Sequence, residues 1–369
     1  MFIFTVNEDN YNVLEVKKDF PLDALVDSLR NGIYGAFSGK KDSLAMRTTR
    51  YVNAATQLYD KLIAPVKVLL RGSVVVVPDG VLGYVPFDAL LKKKPDNQGR
   101  GHTFDYLLND HKISYCYSAT ILKDMVNKKH RQTPTQPFLA MAPYFKGDTA
   151  MIKIDSSDVL ASLTDSRPSG LRNGLDSLPF TGEEVTRLQR MMGGEAIVGK
   201  GATEDIFNQK ASNARIIHLS THGEMDDKVG DYAYLAFTEQ PDSLENEWLY
   251  TRELYNLSLN ADMVVLSACE TGIGKLQRGE GIISLARAFA YAGAKSIVTT
   301  LWQVRDKSTK DIMVLFYQNL KSGKNKDTAL WLAKKAYIKK LNPKERGVYA
   351  LPFFWSGIIP IGDMRPIGQ

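Results

Sequence analysis

Arg215-Ile216-Ile217-His218-Leu219-Ser220-Thr221-His222-Gly223-Glu224 and Met263-Val264-Val265-Leu266-Ser267-Ala268-Cys269-Glu270-Thr271-Gly272 follow one order: a short apolar run, a reactive side chain, then glycine. Runs apolar on both faces read as buried strands of a parallel sheet. Each delivers a reactive group, His222 or Cys269, just past its carboxyl end, where open α/β sheets bind ligands. A thiol of pKa ~8.5 is only slightly ionised at neutral pH and needs a neighbouring imidazole to become a thiolate nucleophile. Glycine beside each supplies N–H groups that can approach a substrate carbonyl and stabilise its oxyanion.

Around these two strands the pattern alternates. Thr181-Gly182-Glu183-Glu184 reads as a capping box opening a helix through Met192, closed by Gly193-Gly194. A strand at 196–198, a helix at 203–209, a helix at 280–292, a buried strand at 296–300, a helix at 308–320 and a last strand at 353–359 follow. This is the pattern of a parallel-rich sheet covered by helices. Upstream, 23–31 and 48–63 read as helices, the second broken by Pro65. Val74–Val77 is a continuous β-branched run bounded by Gly72-Ser73 and Pro78-Asp79-Gly80, which predicts a central, buried strand. Further strands are expected at 113–117 and 138–141, and loops at 92–100 and 146–176. The expected units are 1–70 (a strand and helices), 71–177 (an N-terminal α/β half) and 178–369 (the half carrying His222 and Cys269).

The 369 residues are 44% hydrophobic and 24% charged, a globular composition with room for about two domains. No apolar run reaches the ~18 residues of a membrane span, and no basic n-region precedes Phe2-Ile3-Phe4, so a cytoplasmic protein is expected. Two cysteines, Cys116 and Cys269, are too few for a disulfide framework or a Cys-based zinc site. Net charge is +6, but residues 321–346 alone carry +7, leaving −1 for the rest. Within that stretch Leu330, Ala333, Tyr337, Ile338 and Leu341 line one helix face, Asp327 can cap its start, and Lys334, Lys335, Lys339 and Lys340 fall mostly on the outer side. A solvated face is the plain reading; a nucleic-acid patch is the alternative.

Competing motifs fail on their parts. Gly194–Lys200 has P-loop spacing, but Gly201 replaces the Ser/Thr that binds Mg²⁺ and the segment follows a helix. His218 and His222 have the i, i+4 spacing of a helical zinc pair, yet on a strand they stand ~13 Å apart. His218 is therefore expected as a buried histidine supporting the site. No metal and no organic cofactor is expected.

Further motifs join the two strands: Gly279-Glu280-Gly281-Ile282 through Leu285-Ala286-Arg287-Ala288-Phe289, Ala292-Gly293-Ala294 and Leu301-Trp302-Gln303-Val304-Arg305-Asp306. With Val77-Pro78-Asp79-Gly80, Pro86-Phe87 and Leu178-Pro179 upstream, the chain from about Asp19 resembles the CHAT family of caspase-like cysteine peptidases, in the clan that also holds caspases and separase. The resemblance implies a caspase-like fold, and through separase a degenerate caspase-like N-terminal half. It implies a catalytic dyad of His222 and Cys269, with the N–H groups of Gly223 and Cys269 as oxyanion hole. It also implies Ser267, Glu270, Trp302 and Asp306 as residues on the substrate side. Ser267 stands where the resembling caspases carry a glutamine that helps read aspartate, so an acidic P1 preference is not supported. Where the family usually ends in His-Pro and Trp-Ala-Phe, this chain has Leu351-Pro352-Phe353-Phe354-Trp355-Ser356-Gly357.

The expected function is thus peptide-bond hydrolysis of a protein substrate. Family members often carry tetratricopeptide repeats and act in regulated cleavage, including bacterial antiviral defence, so a partner domain is an expected activator. The glycine-rich 272–279 and the acidic 237–247, with Glu239, Asp242, Glu245 and Glu247, are the segments such a partner would order. Two other classes stay open: a catalytically silent scaffold, and nucleic-acid binding through 321–346.

Overall fold

The computed structural model describes residues 1–34, 43–96, 101–143, 178, 181–224, 233–239, 247–267, 275–277, 281–302, 306–342, 345 and 347–368. Its strands are β1 (Phe2–Val6), β2 (Tyr11–Glu15), β3 (Ser73–Val76), β4 (Lys112–Tyr115), β5 (Leu139–Pro143), β6 (Glu195–Gly199), β7 (Ile216–Leu219), β8 (Gly223–Glu224), β9 (Tyr234–Ala236), β10 (Trp248–Tyr250), β11 (Met263–Leu266), β12 (Lys275–Gln277), β13 (Gly281–Ile283), β14 (Ser296–Thr300) and β15 (Ile358–Gly362). The helices are α1 (Leu22–Tyr34), α2 (Leu44–Leu62), α3 (Ala119–Asn127), α4 (Thr181–Met192), α5 (Glu204–Lys210), α6 (Thr251–Leu254), α7 (Leu285–Ala292), α8 (Asp306–Lys321) and α9 (Lys326–Lys340). Among the described residues no helix is long and apolar enough to cross a membrane.

One eight-stranded sheet, ordered β3-β4-β15-β14-β11-β7-β5-β6, organises the chain. All its pairings are parallel except β14 with β15. The sheet draws on both 71–177 and 178–369: β5 lies between β6 and β7, and β15 lies between β4 and β14. The middle strands have the residues such a position demands. Ile216, Ile217 and Leu219 of β7 and Met263–Leu266 of β11 are all buried, each such side chain worth ~1.5–3 kcal/mol out of water. Smaller antiparallel sheets, β1-β2, β8-β9-β10 and β12-β13, sit apart from it.

Three expectations are corrected. The run beginning at Val74 forms an edge strand with β4 as its neighbour in the sheet, and it is not fully buried: Val75 is 45% exposed and Val77 49%. Continuous apolar residues announce a strand in a sheet but not its place in the order. The helix expected from residue 280 begins only at Leu285, where the Ser284 hydroxyl accepts from the Arg287 N–H, and Gly281–Ile283 before it pairs with β12. The last strand starts five residues later than expected, because Pro352–Phe354 turn as a 3₁₀ segment; it runs antiparallel to β14.

The basic helix α9 is the fourth correction. Lys334, expected on its outer side, is 2% exposed, and its Nζ lies 2.5 Å from the Asp88 carboxylate and 5.9 Å from the Trp355 ring centroid. The cap position falls to Asn325, and Asp327 in the first turn accepts from the Thr328 N–H at 2.5 Å and from the Ser73 hydroxyl at 2.9 Å, so it serves the helix start and ties β3 to α9. Lys339 and Lys340 remain exposed, as expected.

Lys326, at the same helix start, is also buried and donates to the Asp363 carbonyl at 3.0 Å. Burial pushes its ammonium down from 10.5 to about 8, with nearby Asp363 and Asp262 opposing the shift. Between these two values the unfolded chain binds the proton and the folded chain does not, so this residue's contribution to stability rises with pH. Lys326→Met is accordingly expected to lose ground to the parent by on the order of 2 kcal/mol between pH 7 and pH 10, read as the difference between their urea-unfolding curves. A pH-independent difference would show that Lys326 stays charged in the fold.

Candidate active site

The site is assembled where β7 and β11 end side by side. The two strands pair in parallel, with Leu219 opposite Leu266, and the Ser267 N–H donates to the Leu219 carbonyl at 2.8 Å. On the other flank the Ser220 N–H donates to the Met141 carbonyl at 2.9 Å, so β5 and β11 grip the end of β7 from both sides. The chain then reaches His222, three residues past Leu219. Cys269 stands three residues past Leu266 but lies, like Glu270, outside the described residues.

His222 is half-buried, and its flanks are pinned. Its carbonyl accepts from the Ala236 N–H at 2.9 Å, while the buried Thr221 hydroxyl donates to the Ala236 carbonyl. Gly223 then opens β8 and pairs with Leu235 of β9. Small antiparallel strands thus fix the backbone on both sides of the imidazole. The Ser220 hydroxyl is buried and has no hydrogen-bond partner among the described residues.

Beneath these ends lies a buried polar chain. The Glu184 carboxylate of α4, 1% exposed, accepts through Oε1 from His218 Nε2 at 3.0 Å and from the Ser267 hydroxyl at 3.2 Å. His218, fully buried, meets the Tyr317 hydroxyl of α8 through Nδ1 at 3.1 Å. Burial, and the Glu184 charge after it, push the Tyr317 phenol well above its ordinary value, so it keeps its proton. His218 is buried, as the strand pattern predicts.

The capping-box reading of Glu184 is therefore corrected. Thr181 lies inside the helix and donates to the Leu178 carbonyl at 2.9 Å, while Glu184 faces the sheet. The helix can turn from this buried face into β6 because Gly194 adopts φ +72°, where a Cβ would lie 2.1 Å from the Phe138 carbonyl oxygen.

Of the remaining residues implied by resemblance, Ser267 and Trp302 follow the ends of the adjacent parallel strands β11 and β14. Ser267 is half-buried and joined to Glu184. Trp302 is 2% exposed; its indole N–H donates to the Phe353 carbonyl at 3.0 Å, and its ring stacks on Tyr34 with centroids 6.1 Å apart. Asp306 is the first residue of α8. Of the two segments proposed to be ordered by a partner, 272–274, 278–279 and 240–246 lie outside the described residues. At the rim of the second, the Phe237 N–H donates to the Glu247 carbonyl at 2.7 Å, and the Glu247 carboxylate accepts from the Glu204 N–H at 2.9 Å.

The CHAT domain model matches residues 52–363. The chain belongs to the CHAT domain family. Among curated proteins this CHAT chain is similar to tetratricopeptide repeat protein 28 of Mus musculus, 25% identical over 89% of the chain, and of Homo sapiens, 24% identical over 83%. It spans only 14% and 13% of those proteins' lengths. Among solved structures it is similar to the Arg specific cysteine proteinase gingipain R, with 13% identity, a TM-score of 0.48, and 94% of this chain against 74% of that one. The separase–securin complex of Saccharomyces cerevisiae matches at 10% identity and a TM-score of 0.46, over 94% of this chain and 23% of that one.

The second cysteine of the CHAT chain, Cys116, follows β4 and is buried, with its Sγ 3.3 Å from the Ser118 carbonyl. Burial pushes its thiol up, which keeps it protonated and unreactive at neutral pH. Cys116→Ser is expected to leave both cleavage and neutral-pH thiol alkylation at the parent's level; a folded Cys116→Ser protein lacking activity would contradict this.

Proposed function

We propose that the chain is a cysteine endopeptidase whose dyad is His222 and Cys269. The observation that carries this reading is the pairing of Leu219 with Leu266 in adjacent parallel strands, with His222 and Cys269 each three residues further on. Adjacent strands run ~4.8 Å apart, which suits an imidazole and a thiol that must exchange a proton. Cys269 attacks the scissile carbonyl, His222 protonates the leaving amine, and the N–H groups of Gly223 and Cys269 stabilise the oxyanion. Glu270, Ser267, Trp302 and Asp306 belong, in this reading, to the substrate side. Neither step draws on a metal, and activity is expected to survive chelators; loss with EDTA and rescue by zinc or calcium would refute that.

A partner domain of tetratricopeptide type is the proposed activator. Support comes from the curated relatives, which are named for such repeats and of which this chain matches only a small part. The test is mass spectrometry of cleavage products from a denatured proteome, with Cys269→Ala as the control. Neo-termini produced by the parent and absent with the variant support the reading; identical peptide sets refute it.

A further inference from the structure

Two side chains from two neighbouring strand ends meet at one carboxylate, and both lead into the proposed dyad. Glu184 accepts from His218, four residues before His222 on β7, and from Ser267, two residues before Cys269 beyond β11. Tyr317 closes the chain from α8 through His218 Nδ1. The Glu184 neighbours on the inner stripe of α4 are Thr181, Val185 and Leu188, so an apolar residue would fit the same stripe. Burying a carboxylate costs several kcal/mol that an apolar residue avoids, and stability alone gives little reason for one there. A carboxylate has what an apolar side chain lacks: two directed acceptor sites that fix two donors relative to each other.

We propose that Glu184 is a positioning residue, which sets the separation and orientation of the β7 and β11 ends and so the geometry of His222 against Cys269. The inference rests on the reading of those two residues as a dyad. Its physical basis is the steepness of catalysis with geometry, where a ~1 Å misplacement of reacting groups lowers the rate ~100-fold. Ser267 is the arm on the cysteine side and His218 the arm on the histidine side. Helix α4 thereby acts on both reacting groups without touching substrate.

The experiment uses the full chain in a Cys116→Ser background, where Cys269 is the sole thiol. Its alkylation by iodoacetamide is followed from pH 5 to pH 9, with His222→Ala as reference and near-UV circular dichroism to verify folding. Glu184→Met, which removes the acceptor, is expected to slow alkylation at pH 7 by ~10-fold and to move the pH dependence toward that of His222→Ala. Glu184→Gln retains one acceptor oxygen for both donors and is expected to stay within ~2-fold of the parent. Ser267→Ala, which breaks one arm, should fall between them.

A folded Glu184→Met protein with the parent's rate and pH dependence overturns the inference. Where that variant does not fold, Ser267→Ala decides: an unchanged rate overturns the proposal, a several-fold loss supports it. An unaffected rate in His222→Ala overturns the dyad and the inference together. The expected alkylation pattern in a protein that cleaves no peptide leaves the positioning role standing and removes only the peptidase reading.

Discussion

Cys269→Ala and His222→Ala are each expected to reduce peptide cleavage by at least ~1,000-fold, and the double variant by no more than the worse single one. The lack of additivity follows from chemistry in which thiolate and imidazole act as one unit: without the base the thiol is mostly protonated, and without the thiol the base has nothing to activate. Folding should be unaffected by the histidine change, since His222 is half-buried beyond the end of β7 and the neighbouring backbone is held by Ala236. The measurement is turnover of a peptide identified from the proteome digest, at matched circular dichroism. Retained turnover in either purified variant would remove the mechanism.

Lys334→Met is expected to destabilise the fold by about 3–5 kcal/mol, the range for stranding one member of a buried ion pair. Asp88 and Lys334 are both almost fully buried, and burial already holds the Asp88 carboxyl above its ordinary range against the lowering effect of the lysine. Removing the lysine raises that carboxyl further. A group whose folded pKa exceeds its unfolded one favours folding at acid pH and loses that contribution as pH rises through the folded value. The deficit of Lys334→Met against the parent, read from urea unfolding, should thus be largest near neutrality and narrow as pH falls. Adding Asp88→Leu should recover most of it. An equal deficit in the double variant would mean that packing of the lysine stem on Trp355, and not stranded charge, is what the fold depends on.

The strands and the ligands of the site were unequally legible in the sequence. β7 and β11 could be read to within a residue or two because their burial on both faces demands uninterrupted apolar runs, and β14 for the same reason. The Val74–Val77 run obeyed the same rule and still took an edge position, since strand order depends on pairings between distant segments. Lys334 looked like surface because lysine usually is; its partner Asp88 lies 246 residues away. Glu184 did leave a trace. It falls on the helical stripe Thr181, Glu184, Val185 and Leu188, an acid where the period calls for an apolar residue, and that signal was masked by the capping motif it also fits.

By itself the sequence determined the α/β class, the two strand ends carrying His222 and Cys269, and the burial of His218, because local periodicity and glycine placement are properties of short segments. Tertiary structure alone decided that β7 and β11 are neighbours with Leu219 opposite Leu266, that β15 lies between β4 and β14 and runs antiparallel to β14, and that one carboxylate on α4 reaches both strand ends. These are long-range pairings. They are set by which surfaces exclude water together when the whole sheet closes, and no window of neighbouring residues contains that information.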